Sequence, residues 1–122
     1  MNYDLELDSK NQTIQLKGTC LLNQDVRKEI LLALASQLVI SNFSRVIIDL
    51  TESIFDPGEP MAGALELTNF MRSIDIKPHV KLTFIYSEAE SHRKYFENVA
   101  QLDGFNIQYF KSYNEAAAWL KQ

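Results

Sequence analysis

Four short apolar runs, separated by segments of helical periodicity, constrain the fold of this chain more than any other feature. The runs are "TIQL" from Thr13, "RVIIDL" from Arg45, "VKLTFIY" from Val80 and "FNIQYF" from Phe105. Short runs rich in β-branched and aromatic side chains predict β-strands. The second run places four apolar residues around Asp49, which is typical of a central strand covered on both faces. We expect Asp49 to lie at the end of that strand and to cap or pair locally, rather than to act as a buried catalytic acid.

The N-terminal segment predicts a β-hairpin. In "YDLELD" the apolar residues Tyr3, Leu5 and Leu7 alternate with acidic ones. The segment "TIQLKGTCLL" repeats this alternation through Ile14 and Leu16, and the pattern could extend to Cys20. Between the two segments, "SKNQ" supplies turn-forming residues.

The first predicted helix begins near Asp25, where the apolar period changes. Val26, Ile30, Leu34 and Leu38 recur every four residues, which indicates an amphipathic helix. Apolar spacing and capping patterns predict further helices over residues 61–74, 87–104 and 112–122. The last two begin with a Ser-x-x-Glu capping pattern, formed by Ser87 with Glu90 and by Ser112 with Glu115.

The predicted order of elements is β-β-α-β-α-β-α-β-α. Strands separated by helices require right-handed crossovers, which build a mostly parallel sheet. A chain of 122 residues matches the size of one domain. We therefore predict an α/β fold over residues 1–122, with a sheet of four to five strands and the first strand antiparallel at an edge.

Composition excludes several classes of function. The formal net charge is -4, the pI is near 5.1 and the 12 basic residues are scattered, which argues against a nucleic-acid partner. Cys20 is the single cysteine, so an internal disulfide cannot form and a reducing compartment is favoured. The apolar tract "ILLALASQLVI" is about half the length needed to span a bilayer, and the N-terminus lacks the features of a signal peptide. We expect a soluble, cytoplasmic protein without stable membrane insertion.

Three segments of the chain carry a resemblance to a known family. They are "IQLKGTCLL" as the strand ending in Gly before the first helix, "RVIIDLTE" as the central strand ending in Asp-Leu-Thr, and "IQYFKSYNEAAAWL" as the terminal strand, cap and helix. In these segments the chain resembles the STAS domain superfamily (sulfate transporter and anti-sigma factor antagonist), in particular its SpoIIAA-like branch of bacterial proteins. The resemblance spans nearly the whole chain in order. It implies a regulatory, anti-sigma factor antagonist-like protein that works through protein partners.

The loop after the central strand departs from that family's pattern. In anti-sigma antagonists this loop carries Asp-Ser-Ser-Gly, and one serine is phosphorylated by a partner kinase. If Asp56 is matched to the family's Asp, the serine positions hold Pro57 and Gly58. If the segment "GAL" from Gly63 to Leu65 is matched instead, they hold Glu59 and Pro60. Neither alignment supplies a hydroxyl, so the resemblance does not imply the usual phosphorylation switch.

The same loop has residues that suit the start of a helix. Asp56 followed by Pro57, with Glu59 three residues on, has the chemistry of an N-cap. The helix could instead begin at Pro60, with Asp56, Pro57 and Gly58 forming the preceding turn. A structural role for this loop is therefore favoured over a switching role.

Thr51 and Ser53 carry the hydroxyls nearest to this loop and are candidate displaced phosphorylation sites. A phosphate there would lie among Glu52, Asp56 and Glu59, whose charges would repel it. Ser and Thr also commonly bond their own backbone in such turns. A turn role is the favoured interpretation for both residues.

These observations favour a non-enzymatic regulatory or protein-interaction module. We expect it to bind a protein partner through the loop and the following helix, with Ile54, Phe55, Asp56, Gly58, Glu59 and Met61 as candidate partner-binding residues. The alternative is a carrier or sensor of a small apolar ligand or lipid held between the helices and the sheet. An enzyme ranks third, because no nucleophile–base set is apparent.

No cofactor or metal is predicted. His79 and His92 lie 13 residues apart, with no carboxylate or cysteine at a metal-ligand spacing. Exposed sheet edges would allow a homodimer without requiring one.

Overall fold

The structure, a computed structural model, describes residues 3–19, 21–55, 63–86 and 91–122. Within these ranges it describes the backbone but not the side chains of Phe55, Gly63, Ala64 and residues 91–96, which include His92. Several residues singled out from the sequence lie outside the described residues, namely Cys20, Asp56, Gly58, Glu59, Met61, Ser87 and Glu90.

Strands and helices alternate along most of the chain. The strands are β1 (Tyr3–Asp8), β2 (Thr13–Gly18), β3 (Leu21–Leu22), β4 (Arg45–Asp49), β5 (Ile54–Phe55), β6 (Lys81–Ile85) and β7 (Asn106–Phe110). The helices are α1 (Gln24–Ser41), α2 (Gly63–Ser73), α3 (Ser91–Leu102) and α4 (Tyr113–Leu120). Apart from the two-residue strands β3 and β5, this is the order predicted from the sequence.

The main sheet has five strands in the order β1-β2-β4-β6-β7. β1 pairs antiparallel with β2, and the other neighbours pair in parallel. The central strand β4 lies between β2 and β6, and its middle residues Val46, Ile47 and Ile48 are all buried. The α/β class, the parallel sheet and the antiparallel edge strand predicted from the sequence are confirmed.

The strand predicted from "TIQLKGTCLL" ends at its glycine, as the resemblance implied, and the possible extension of its alternation to Cys20 is not part of β2. β2 ends at Gly18, and Leu21–Leu22 forms the separate strand β3, which pairs in parallel with β5 in a two-stranded sheet. The pairing of β2 with β4 ends at Lys17 opposite Asp49, because the chain turns after Asp49. Beyond this point β2 has no strand beside it on that side, and the chain leaves the main sheet.

Helices cover the two faces of the sheet unequally. α1, α2 and α3 cover one face over a large core, and α4 covers part of the other face. The largest fully buried side chains of the large core are Ile14, Leu16, Leu22, Leu34, Val46, Ile48, Met71, Leu82 and Ile107. The small core beneath α4 contains Ile47, Ile85, Ala116 and Leu120.

The ends of α1 and α4 are set by capping side chains. The Asn23 side chain accepts a hydrogen bond from the Val26 N–H at 2.9 Å, so α1 begins at Gln24. At α4, Ser112 Oγ accepts a hydrogen bond from the Glu115 N–H at 3.2 Å, which confirms the cap predicted there. After α3, Gly104 has a φ of 94°, a left-handed conformation that favours glycine and ends the helix.

Side chains of α3 bond to the outer edge of β7. The backbone N–H and C=O groups of residues 107 and 109 point away from β6, because the backbone groups of successive residues point to alternate sides of a strand. The Tyr109 N–H donates to the Glu97 carboxylate at 2.7 Å, and the Gln101 amide donates to the Ile107 carbonyl at 2.8 Å. The Phe105 N–H also donates to the Ala100 carbonyl, at 2.9 Å. α3 therefore occupies the positions that an added strand would need, and β7 is a poor edge for dimerisation.

Candidate partner-binding surface

The turn after β4 lies at the carboxyl end of the central strand. Open α/β sheets place their binding sites at this end of the strands, because the connecting loops gather there. Strands β3 and β5 lie beside this turn. β3 follows β2 and β5 follows β4 along the chain, and the two short strands pair with each other. Of the partner-binding residues predicted from the sequence, only Ile54 and Phe55 of β5 belong to the described segments, and the turn and β3 lie beside them.

The Asp49 carboxylate holds the turn. Its Oδ1 accepts hydrogen bonds from the Thr51 N–H at 2.9 Å and from the Thr51 hydroxyl at 2.7 Å. The local role predicted for Asp49 is confirmed by these contacts. Since both polar groups of Thr51 bond to one carboxylate, the turn has a fixed geometry at the point where β4 ends.

Ser53 lies against β2. Its N–H donates to the Leu50 carbonyl at 3.1 Å, and its Oγ is buried. A Cβ added at Gly18 would lie 2.9 Å from that Oγ and 3.1 Å from Leu50 Cδ2, so glycine allows the turn to pack closely on β2. Within the described ranges, no residue hydrogen-bonds to Ser53 Oγ. A kinase could reach this hydroxyl only if the turn opened.

An apolar pair faces solvent beside this turn. Leu21 in β3 is paired in register with Ile54 in β5, and their exposed fractions are 51% and 69%. The next residue of β3, Leu22, is fully buried and anchors the strand in the large core. The short sheet therefore presents two large aliphatic side chains on a backbone that is tied to the core.

Charged side chains flank the apolar pair. Lys17 at the end of β2 forms an ion pair with Glu52 in the turn. The hydrogen bond from Glu52 raises the pKa of Lys17 above its usual 10.5, with the charge of Glu52 and then that of Asp49 adding to the effect. Because the side chains of Lys17 and Glu52 are both exposed to solvent, this ion pair contributes little to the stability of the fold.

Replacement of Glu52 by glutamine is expected to lower the pKa of Lys17 towards 10.5. The raised pKa means that the ion pair favours folding below pH 10.5, and that this contribution is lost as the pH rises through the folded-state pKa. An NMR titration of the Lys17 side chain in the wild-type protein and in Glu52→Gln measures the change. An unaltered titration curve would show that Glu52 is not the cause.

The surface predicted from the sequence is only partly described. Ile54 is exposed and the backbone of Phe55 belongs to β5, whereas Asp56, Gly58, Glu59 and Met61 lie outside the described residues. Leu21 was missed, because a strand of two residues shows no periodicity in the sequence. The break at Gly18, followed at once by two leucines, is the one sequence feature that could have suggested it.

Three solved structures share this architecture. The unphosphorylated form of the anti-sigma factor antagonist SpoIIAA matches with a TM-score of 0.54 and 13% identity, over 98% of this chain and 97% of that chain. An anti-sigma factor antagonist from Mycobacterium paratuberculosis matches with a TM-score of 0.61 and 10% identity, over 98% and 93% of the two chains. The chain has a STAS-like fold. The Bacillus cell fate determinant SpoIIAA in its phosphorylated form matches with a TM-score of 0.50 and 13% identity, over 96% and 97%.

The STAS-like fold confirms the resemblance drawn from the sequence. No protein-family model matches the chain, and no curated protein matches it. At 10–13% identity the structural likeness shows the fold alone.

A small apolar cavity lies in the STAS-like domain between α1, α2 and the sheet. Its volume is about 30 Å³, and it is lined by Leu22, Arg27, Ile30, Leu31, Ile48, Leu50, Leu67, Phe84 and Tyr109. Phe84 and Tyr109 are stacked, with ring centroids 4.8 Å apart. Ligand pockets usually measure about 300–1,000 Å³, so the cavity as described has room for little more than a water molecule.

No helix in the described part of the STAS-like domain is long and apolar enough to cross a membrane. Within the same part of the chain, no group of three or more His, Cys, Asp and Glu side chains is arranged to hold a metal ion.

Proposed function

We propose that this STAS-like domain is a non-enzymatic regulatory module that binds a protein partner through the surface beside the turn after β4. The observation that carries the proposal is the exposed Leu21–Ile54 pair. The continuation of this surface would be formed by Phe55, Asp56, Gly58, Glu59 and Met61, the remaining candidates from the sequence. The low cysteine content and dispersed basic charge of the whole chain fit a cytoplasmic protein without a nucleic-acid partner.

The physical basis is the cost of leaving this pair in water. Burial of apolar surface contributes about 25 cal/mol per Å², and two adjacent aliphatic side chains on a fixed backbone lose little entropy when a partner covers them. The Lys17–Glu52 ion pair lies at the margin, where charges set orientation and rate of association. An apolar centre with a charged rim is the usual anatomy of a protein interface.

The structural neighbours support a protein partner for this domain. Each of the first two is named an anti-sigma factor antagonist, a name that describes action against another protein. We extend to this chain only the general property of working through protein contacts.

Phosphorylation at Thr51 or Ser53 stays a prediction. One neighbour, SpoIIAA, is known in a phosphorylated form. In this chain the Thr51 hydroxyl is bonded to Asp49 and the Ser53 hydroxyl is buried against β2. We therefore propose that any switching comes from the partner or a ligand rather than from modification of these hydroxyls.

Replacement of Ile54 by aspartate is expected to weaken partner binding by tenfold or more, about 1.4 kcal/mol. A carboxylate at this exposed position leaves the fold intact, but it would have to be desolvated in the complex. Proteins retained by the wild type would be identified by mass spectrometry, and their affinity for each purified variant measured by calorimetry.

Leu102→Asp is the matched control, because Leu102 is an exposed aliphatic residue at the end of α3. It should bind the partner as the wild type does. Equal binding by Ile54→Asp and the wild type would refute the assignment of this surface.

The carrier alternative also stays a prediction. It would place an apolar ligand in the cavity between α1, α2 and the sheet, whose lining includes Arg27, Phe84 and Tyr109. The cavity would have to widen about tenfold to reach the usual ligand size, so the module hypothesis is preferred.

A further inference from the structure

The outer face of α1 carries large apolar side chains that no described element covers. Leu32, Val39 and Ile40 have exposed fractions of 51%, 83% and 73%, and Ser36 between them is also exposed. The opposite face of α1, with Ile30, Leu31, Leu34 and Ala35, packs on the large core. The second half of α1 is therefore apolar on both sides, as expected of a helix buried on both sides.

This half of α1 also lacks charge. Residues 30–43, "ILLALASQLVISNF", contain no charged side chain, although 23% of the chain is charged. The exposed charges on the same face, Asp25 and Glu29, lie in the first two turns of α1. A partner could cover this surface without removing any charged side chain from water, and such a composition is typical of the core of an interface.

We propose that this face of α1 binds the same face of a second copy of the chain. Leu32, Ser36 and Ile40 form a row at four-residue spacing. The small side chain of Ser36 lies at its centre, between the two large side chains. If two such rows cross at Ser36 about a two-fold axis, each Leu32 lies opposite an Ile40 and the two serines allow close approach. Asp25 and Glu29 lie about 16 and 10 Å from Ser36 along the helix, where crossing helices diverge.

The other surfaces that could pair with a second copy are less suitable. The outer edge of β7 is already bonded to Glu97 and Gln101 of α3. The edge strand β1 carries Asp4, Glu6 and Asp8 on one face, and an antiparallel pair of β1 strands would bring these carboxylates together. On α1, by contrast, a second copy meets apolar side chains and no like charge.

The interface would leave the proposed partner-binding surface free. α1 begins beside β3 and runs back along the sheet towards the start of β4. Val39 and Ile40 therefore lie towards the amino ends of the parallel strands and Leu32 lies at the middle of α1, whereas Leu21 and Ile54 lie at the carboxyl ends. One crossing of two helices buries less than the roughly 800 Å² per partner of a stable complex, so the dimer should be weak, with a Kd of about 10–100 µM.

Sedimentation equilibrium of the purified full chain, from about 1 µM to about 1 mM, tests the proposal. The wild-type weight-average mass should rise from 14.0 kDa towards twice that value. Ser36→Lys and Ser36→Asp, each alone, should remain monomeric, because the axis places each new charge opposite its own copy. An equimolar mixture of the two variants should dimerise again, which a heterologous contact or an unrelated face would not predict.

Val39→Lys and Leu102→Lys provide a matched pair of controls on exposed apolar residues. Val39→Lys should be monomeric, and Leu102→Lys, on α3, should dimerise as the wild type does. Circular dichroism confirms that each variant folds. A wild type that is monomeric at every concentration overturns the proposal, and so does a dimer that persists in the Ser36 and Val39 variants.

Discussion

Replacement of Glu97 by alanine is expected to lower the free energy of unfolding by about 3 kcal/mol. Glu97 is 4% exposed, and its carboxylate accepts the Tyr109 N–H of β7 at 2.7 Å. The substitution removes a charge-assisted hydrogen bond and leaves a backbone donor without its acceptor. It also removes the methylene groups that Glu97 packs between α3 and the sheet. Urea denaturation followed by circular dichroism measures the loss.

Two further variants separate the hydrogen bond from the packing. Glu97→Gln keeps a carbonyl oxygen that can accept from Tyr109, so it should lose less than half as much stability as Glu97→Ala. Gln101→Ala removes the bond to the Ile107 carbonyl from a more exposed position and should cost about 1 kcal/mol. If Glu97→Ala were no more destabilising than Gln101→Ala, the Glu97 carboxylate would not be the main contact that holds β7 against α3.

Replacement of Ile48 by alanine is expected to cost about 4 kcal/mol, whereas Ile47→Ala should cost about 2 kcal/mol. The two residues are neighbours in β4 and both are buried, but they point to opposite faces of the sheet. Ile48 packs in the large core beneath three helices, which hold one another in place. Ile47 packs beneath the eight-residue helix α4, which can shift to fill part of the space.

This pair of variants is its own control, because residue type, strand and secondary structure are the same. Both should unfold in a single transition, and their midpoints in urea give the difference in stability. Equal losses, or a larger loss for Ile47→Ala, would mean that the two faces of the sheet are equally rigid.

The strands of the main sheet could be predicted because each has five or six residues, which is long enough to show a recognisable pattern of apolar side chains. The run from Arg45 to Leu50 and the run from Val80 to Tyr86 are apolar on both faces, as the structure has them. β3 and β5 could not be predicted, because two residues show no periodicity. They exist as strands because Leu21 and Leu22 lie beside Ile54 and Phe55 in space.

The partner-binding surface stays a prediction, and only Ile54 and Phe55 of its described part were named from the sequence. The change from an apolar run to a turn at Asp49 pointed to this end of the sheet, since loops at the carboxyl ends of parallel strands gather together. Leu21 joins it from a segment 33 residues before Ile54, a proximity that only the crossover of the chain creates. Glu97 was missed for the same reason, because its partner is a backbone group of a strand that follows it in the chain.

The unequal covering of the sheet also divides the domain into parts of different stability. α4 is the last helix, and it is held by the small core of Ile47, Ile85, Ala116 and Leu120. Its removal would leave the larger core and the helices on the other face in place. Local opening therefore requires less free energy at α4 than in β4 or α1, and the domain can lose its C-terminal helix transiently while the sheet stays folded. Such an opening would expose to solvent the apolar face of β4 and β6, which is buried beneath α4 in the native fold.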